Sequence, residues 1–404
     1  MKVLKFGGTS VGSPSRMKEV SQLITEDKQQ KIVVLSAMSG TTNTLVEIAD
    51  YLKKGNKEAA NNVINKLRTK YMEHVKELYS NQEWLAKTSD FLEDEFMYLH
   101  SFSGTDFTET TEKTILAQGE MMSTNMVTNY LKEIGVNVKL IPALDYMKTD
   151  KNSEPDMKYI EENLKTILNE NPDYDLYITQ GFICRDYEGK VDNLQRGGSD
   201  YTASLYAVGC KARILEIWTD VPGMMTSNPK VVPTARTISN ISYKAAQELS
   251  HFGAKVIYPP TIQPVVAEGI PIYVKNTFDP AAYGTLIEKN PPRSKDKLIG
   301  ISNSDNIALL SLEGSGMVGI PGFSSRLFET LSQNDINIIL ITQASSVHTM
   351  CIAVSENDAE KAKEAADRCF AYEISLGKLN PLKVEKGFSI VCLVGDDVLN
   401  QTGA

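Results

Sequence analysis

Apolar residues along this chain alternate between short β-branched runs and stretches that repeat every three to four positions. Strand-like runs stand at Val3-Leu4 and at 31–35, 136–141, 174–179, 213–220 and 272–276. Helical patterns lie between them, at 14–24, 45–52, 111–131, 157–168, 203–208 and 242–250, with another beginning near Pro260. So regular an alternation predicts an α/β fold, a three-layer α/β/α sandwich with a mostly parallel sheet. Residues 56–103 depart from it: they are charged, tyrosine-rich and helical in period (Leu67, Tyr71, Val75, Leu78, then Leu85, Phe91, Phe96, Leu99). They read as a helical hairpin inserted in the sheet domain, serving as a lid or a packing layer. The strand at 272–276 is expected to finish this domain, which is assigned to 1–290.

The polar, proline-bearing stretch Asn290-Pro-Pro-Arg-Ser-Lys-Asp-Lys297 reads as a linker. Beyond it the pattern restarts on a smaller scale. Strands are expected at 307–312, 336–341, 347–354 and 388–394, and helices at 323–331 and 358–370. The order β-α-β-β-α-β is the split βαβ arrangement, an α+β, ferredoxin-like module. Leu-Ser-Leu-Glu-Gly314 and Val-Cys-Leu-Val-Gly395 match in type at a spacing of about 80 residues, as two copies of one module would. The second copy is cut short at Asn400-Gln-Thr-Gly-Ala404, and the region is assigned to 298–404.

Chemistry enters at the loops after the strands. Lys5-Phe-Gly-Gly-Thr-Ser-Val-Gly12 has the order strand, glycine turn, helix. Glycine lets the backbone approach a bulky anion, and the first helical amides point N–H groups at it. A plainer reading is a turn that needs glycine for backbone reasons alone. Ser36-Ala-Met-Ser-Gly-Thr-Thr-Asn43 ends a second strand, Gln180-Gly-Phe-Ile183 a third, and Arg196-Gly-Gly-Ser-Asp-Tyr-Thr-Ala203 opens a helix. Phe252-Gly-Ala-Lys255 adds a further glycine and cation. In parallel α/β sheets ligands sit at such carboxyl-end loops. The loops lack both the G-x-x-x-x-G-K-[ST] form and G-x-G-x-x-G with an acidic residue about 20 positions on, which argues against a P-loop or dinucleotide site. What remains is a nucleoside triphosphate lying across several loops, with Mg²⁺ held through its phosphates rather than by a protein metal site.

Composition narrows the acceptor and the setting. With 42 Lys plus Arg against 51 Asp plus Glu, the net charge of −9 argues against a nucleic-acid partner. No apolar run approaches the ~20 residues of a membrane span, and no secretory leader is expected. Five scattered cysteines and four histidines suggest reduced thiols in the cytoplasm and no zinc site. The candidate loops contain no histidine. A carboxylate acceptor needs none, because with a pKa of about 4 it is already ionised at neutral pH. Arg196 is suited to clamp a substrate carboxylate and Glu120 to accept from a substrate ammonium, together an amino-acid grip. Plainer roles exist for each: Glu120 as a solvated or paired helix residue, Asp200 as a helix cap, Arg196 paired with Asp192, Lys255 at the surface.

Taken together these motifs, with Gln118-Gly-Glu120 and Trp218-Thr-Asp-Val-Pro-Gly223, resemble the aspartate kinases of the amino-acid kinase family over nearly the whole chain. The resemblance implies transfer of phosphate from ATP to the side-chain carboxylate of L-aspartate, with Lys5 and Asp200 as the catalytic pair. It implies aspartate contacts at Thr42, Glu120, Phe182, Arg196 and Ser199. ATP contacts would fall at Gly7, Gly8, Thr9, Thr219, Asp220, Met225, Lys230, Lys255 and Val256. Two of these depart from the family's usual Tyr-x-x-x-Pro-Arg, Met225 replacing an aromatic and Lys230 an arginine.

The C-terminal region resembles the family's ACT regulatory modules, which pair into homo-oligomers and bind an end-product amino acid. Effector contacts are implied at Gly322, Phe323, Asn337 and Gln343. Threonine is preferred over lysine, because Ile339 stands where lysine-sensitive relatives tend to carry an acidic residue. Two alternatives stay open: an amino-acid-sensing subunit with weak kinase activity, and a sister carboxylate kinase of the glutamate 5-kinase or acetylglutamate kinase type.

Overall fold

The computed structural model describes residues 1–194, 197–251, 256–292, 298–314, 322–343 and 349–395. Two units separate, Met1–Gly300 and Ile301–Val394. The first opens with β1 (Lys2–Phe6), α1 (Pro14–Thr25), β2 (Lys31–Leu35), α2 (Thr41–Lys53), α3 (Lys57–Leu78), α4 (Gln82–Ser101) and α5 (Glu109–Glu133). Next come β3 (Val138–Leu140), α6 (Met157–Glu170), β4 (Leu176–Gln180), β5 (Ile183–Arg185), β6 (Val191–Asn193), α7 (Gly198–Gly209) and β7 (Leu215–Thr219). It closes with β8 (Asn240–Ser242), α8 (Tyr243–His251), α9 (Pro259–Glu268), β9 (Ile272–Asn276) and β10 (Thr285–Glu288).

Eight of these strands form one sheet in the order β3-β4-β2-β1-β7-β9-β10-β8. Neighbours from β3 to β9 all run parallel; only the β9–β10 pairing reverses direction. β2 is buried at every position, as an Ile/Val-rich strand covered on both faces must be. Because β1 lies between β2 and β7, the loops that follow all three strands share one edge of the sheet.

The main departure from the sequence reading is at the end of this unit. The sheet continues past 272–276 into β10, which pairs antiparallel with β9 (Ile287 opposite Ile272) and carries β8 beside it. Two short strands, β5 and β6, also form a hairpin that the sequence pattern did not separate from loop.

The inserted segment is a helical hairpin, α3 and α4, whose apolar stripe (Ile64, Leu67, Tyr71, Val75 against Leu92, Phe96, Leu99) is buried in the same core as α1, α2 and β1. Tyr71 and Phe96 meet edge to face with centroids 5.8 Å apart. α5 is buried along most of its length, which is why its pattern is barely one-sided.

The second unit comprises β11 (Gly300–Glu313), α10 (Phe323–Gln333), β12 (Leu340–Gln343), β13 (Thr349–Ser355), α11 (Ala359–Cys369), α12 (Ala371–Ser375) and β14 (Lys383–Val394). Its sheet order, β12-β13-β11-β14, is the ferredoxin-like one. β12 begins four residues later than the apolar run at 336–341 suggests. Ile336 goes instead into the core under the sheet without ladder pairing of its own, and Ile338 packs against that core. Phe323 and Phe370 stack at 5.5 Å to tie α10 to the end of α11.

Candidate active site

A cavity of about 440 Å³ opens where the loops after β1, β2 and β4 meet the first turn of α7. Lys5 projects from β1, and its Nζ lies 2.6 Å from Asp200 Oδ1 in that turn. Gly8 and Thr9 form one wall, Ser36–Gly40 with Thr42 and Asn43 another, and Glu120, Phe182 and Gly197–Asp200 the rest. Chain segments nearly two hundred residues apart thus converge on one space.

Glycine makes the convergence possible at three close approaches. A Cβ at Gly8 would stand 2.8 Å from the Ala37 carbonyl oxygen. One at Gly181 would stand 2.6 Å from Ser199 Cβ, and one at Gly198 the same distance from Phe182 Cδ2. Any side chain there would force the loops apart. Phe182 itself sits at φ +68°, a left-handed conformation rare for an aromatic, held by its N–H donating to Thr202 Oγ1 at 2.9 Å.

Two helices aim their N-termini at the cavity, α2 and α7. Each has a glycine N-cap at φ +83° (Gly40 and Gly197), and neither has a side-chain cap. The Thr41 N–H of α2 turns back to the Met38 carbonyl at 3.0 Å and the Asp200 N–H of α7 to the Gly197 carbonyl at 2.9 Å. The remaining amides of both first turns have no side-chain cap, and the positive ends of both helix dipoles face the same cavity as Lys5. The site is built for anions.

Glu120 is the exception and gives the site its polarity. It is 3% exposed, and its Oε1 accepts from the Ala37 N–H at 3.1 Å while Oε2 is buried with no partner. Burial pushes its carboxyl up to about 8, with the Ala37 N–H pulling weakly the other way. Such a group ionises readily only when a cation arrives beside it. The surrounding scaffold is fixed: Ser123 Oγ donates to the Ser36 carbonyl at 2.8 Å, and Gln180 Nε2 to Thr124 Oγ1 at 2.8 Å.

Of the residues the sequence singled out, Lys5, Gly8, Thr9, Thr42, Glu120, Phe182, Ser199 and Asp200 line this one cavity. Gly7 lies beside it; a Cβ there would stand 3.5 Å from Lys5 Nζ. Thr219 and Asp220 stand at the end of β7, adjacent to β1 through the Phe6–Trp218 pairing. Met225 bridges to Thr237, and Lys230 is exposed on a turn whose N–H bonds Asn228. Val256 is half-buried. Arg196 and Lys255 lie outside the described residues. Asp192, the alternative partner for Arg196, is engaged by Lys113 at 2.9 Å.

Among the effector candidates, Gly322 caps α10 at φ +95°, Phe323 has its ring in the core, and Asn337 is exposed. Of Gln343 only the backbone is described, paired with Met350. The sequence reading missed Gly40 and Asn43 as cavity residues. The signal was there in Gly40-Thr-Thr-Asn43, a helix start whose preceding residue cannot cap.

Residues 1–276 match the model of the amino acid kinase family, and residues 310–370 that of an ACT domain. The chain is 31% identical over 409 residues to the lysine-sensitive aspartokinase 3 of Escherichia coli, covering 99% of this chain and 88% of that protein. The chain belongs to the aspartokinase family. It is also 33% identical over 420 residues to a bifunctional aspartokinase/homoserine dehydrogenase of Haemophilus influenzae, spanning 100% of this chain but only 50% of that one. It thus spans about half the length of the bifunctional aspartokinases it matches. The crystal structure of E. coli aspartokinase III in complex with aspartate and ADP superposes with a TM-score of 0.79 at 29% identity, covering 100% of this chain and 89% of that chain. In this chain, then, the parallel sheet and its loop edge belong to the amino acid kinase unit, and the ferredoxin-like unit to the ACT domain.

Proposed function

We propose that this chain phosphorylates the side-chain carboxylate of L-aspartate with ATP, giving ADP and 4-phospho-L-aspartate, under feedback control by an end-product amino acid. The observation that carries this reading is the pairing in one cavity of two uncapped helix N-termini and Lys5 with a single buried, unpartnered carboxylate, Glu120. The substrate that satisfies both has two carboxylates and one ammonium.

Glu120 Oε2 receives the ammonium, and the first turns of α2 and α7, with Thr42 and Ser199, receive the carboxylates. Phe182 closes the side of the cavity. A carboxylate oxygen of the substrate attacks the γ-phosphorus, and the bond to the β-phosphate oxygen breaks to release ADP; no general base is required. Lys5 holds the charge on the transferring group, and Asp200 keeps the ammonium of Lys5 in place until then. Gly7, Gly8 and Thr9 lie against the phosphates, and Thr219, Asp220, Met225, Lys230 and Val256 follow the nucleotide along the β7 side. The tight Gly8–Ala37 approach, which leaves no room for a side chain, suits a phosphate cradle. Arg196 and Lys255 are assigned the aspartate carboxylate and the ATP phosphates on motif alone. Mg²⁺ bound through the phosphates supplies further charge neutralisation.

The ACT unit is read as the effector site, through Gly322, Phe323, Asn337 and Gln343, and its module as the self-pairing surface of a homo-oligomer. Exposed Leu340 and Val391 on its two edge strands support the pairing. The free cysteines fit a reducing, cytoplasmic setting, and among the described residues no helix is long and apolar enough to cross a membrane.

A coupled ADP-release assay tests the reaction: turnover should require aspartate and Mg²⁺-ATP, with glutamate and N-acetylglutamate inactive. Absence of aspartate-dependent turnover would overturn the reading. Threonine and lysine tested as inhibitors, with sedimentation in parallel, decide the effector and the oligomeric state.

A further inference from the structure

An anion-binding helix N-terminus poses a structural problem: leaving the amides free for substrate means giving up the side-chain cap that would otherwise fix the first turn. In α2 the N-cap is Gly40, which contributes no such bond. The backbone closes the turn, with the Thr41 N–H donating to the Met38 carbonyl at 3.0 Å, and the side-chain hold that a cap would give comes instead from the inserted hairpin. Tyr71 of α3 and Thr41, the first residue of α2, share a hydroxyl–hydroxyl hydrogen bond of 2.9 Å, and both residues are fully buried. On its other side Thr41 lies against α5, where a Cβ at Gly119 would stand 3.4 Å from Thr41 Cγ2 and 2.8 Å from Ala37 Cβ. The next residue along α2, Thr42, faces the cavity, and the residue after Gly119 is Glu120. Thr41 is thus clamped between the hairpin and α5, one position from a cavity residue on each side. Burial holds the Tyr71 phenol well above its ordinary range, and the Glu120 carboxyl adds to that push, so the hydroxyl keeps its proton at any working pH.

We propose that Tyr71 is a positioning residue for substrate: through Thr41 it fixes the uncapped N-terminus of α2, and with it the spacing between Thr42 and Glu120. The inserted hairpin is then the rear wall of the amino-acid subsite. This rests on the assignment of the cavity to aspartate. Because a misplaced clamp weakens substrate binding without touching the phosphoryl path, its signature is a split between kinetic constants.

Tyr71→Phe removes one hydroxyl and keeps the ring. The expected result is a KM for aspartate raised about fivefold, the size of one buried hydrogen bond, with kcat and the KM for ATP within about twofold of wild type. Thr41→Val should do the same, and Thr41→Ser, which keeps the hydroxyl, should restore wild-type values. In the double variant Tyr71→Phe/Thr41→Val no hydroxyl is left orphaned, so the melting temperature should recover while the aspartate KM stays high. An unchanged aspartate KM in Tyr71→Phe would overturn the proposal. So would a double variant that regains wild-type KM, or single variants in which both KM values and kcat drift together with stability. Should Tyr71→Phe fail to fold, the Val and Ser variants at Thr41 decide the same question. A wild-type chain that turns over no aspartate sinks the functional reading instead, before any variant is compared.

Discussion

Replacing Glu120 with Gln separates what that residue does for binding from what it costs the fold. The wild-type carboxyl is 3% exposed and is raised to about 8, against an ordinary value of 4.5. The unfolded chain releases this proton at the ordinary value, so between about pH 4.5 and 8 the folded chain holds a proton that the unfolded chain has lost. The contribution to stability is complete below 4.5 and disappears as pH rises through about 8. Its slope is at most about 1.4 kcal/mol per pH unit, and its full span roughly 4–5 kcal/mol as an upper bound. Glutamine resembles the protonated acid and does not titrate. The variant should therefore match wild type near pH 5 and exceed it progressively toward pH 9, read by denaturant melts at pH 5, 7 and 9. At the same time it should bind aspartate far more weakly, because an amide offers the ammonium no charge. Aspartate binding to wild type at pH 7 should release a proton, seen as a heat that varies with the ionisation enthalpy of the buffer. A stability difference between the two proteins that stays constant from pH 5 to 9 would refute the reasoning, as it would mean that Glu120 is ionised throughout.

Other outcomes follow from the same geometry. Lys5→Ala should lower kcat roughly a hundredfold or more while leaving the aspartate KM nearly unchanged, measured by steady-state kinetics; near-wild-type turnover would remove Lys5 from the chemistry. Gly181→Ala places a methyl 2.6 Å from Ser199 Cβ and should destabilise by about 1–3 kcal/mol, with a raised aspartate KM as the start of α7 shifts. Phe370→Ala deletes a fully buried ring stacked on Phe323 and should cost about 3–5 kcal/mol, with faster amide hydrogen exchange confined to 301–394.

Much of this was legible beforehand because the site is made of loops with strong local signatures. Glycines near Lys5 (Gly8) and at Gly197–Gly198 mark close approaches that other residues cannot make, and the alternation of strand and helix orders those loops along one sheet edge. Glu120 was harder to read. A carboxylate inside a helix gives no sign of its burial, and only the packing of Gly119 on Ala37 and Thr41 shows why the next side chain is driven inward. Tyr71 was visible as one more residue of an apolar stripe, since a period of 3.6 says which face is buried and nothing about what its hydroxyl meets. The extension of the sheet into β10 escaped because a strand of four residues carries too few alternating positions to stand out. At 336–341 the apolar run is genuine, yet Ile336 is buried by packing under the sheet rather than by pairing within it.

Gly40 and Gly197 have one more consequence, for the empty protein. With no side-chain cap at either helix start, an anion that docks there would act as the missing cap of both α2 and α7. By mass action a dianion at a hundred times its dissociation constant adds about 2.7 kcal/mol to the folded state. A chain with nothing bound would then open locally at these turns more often, and protease sensitivity near residues 40 and 197 would report how fully the cavity is occupied.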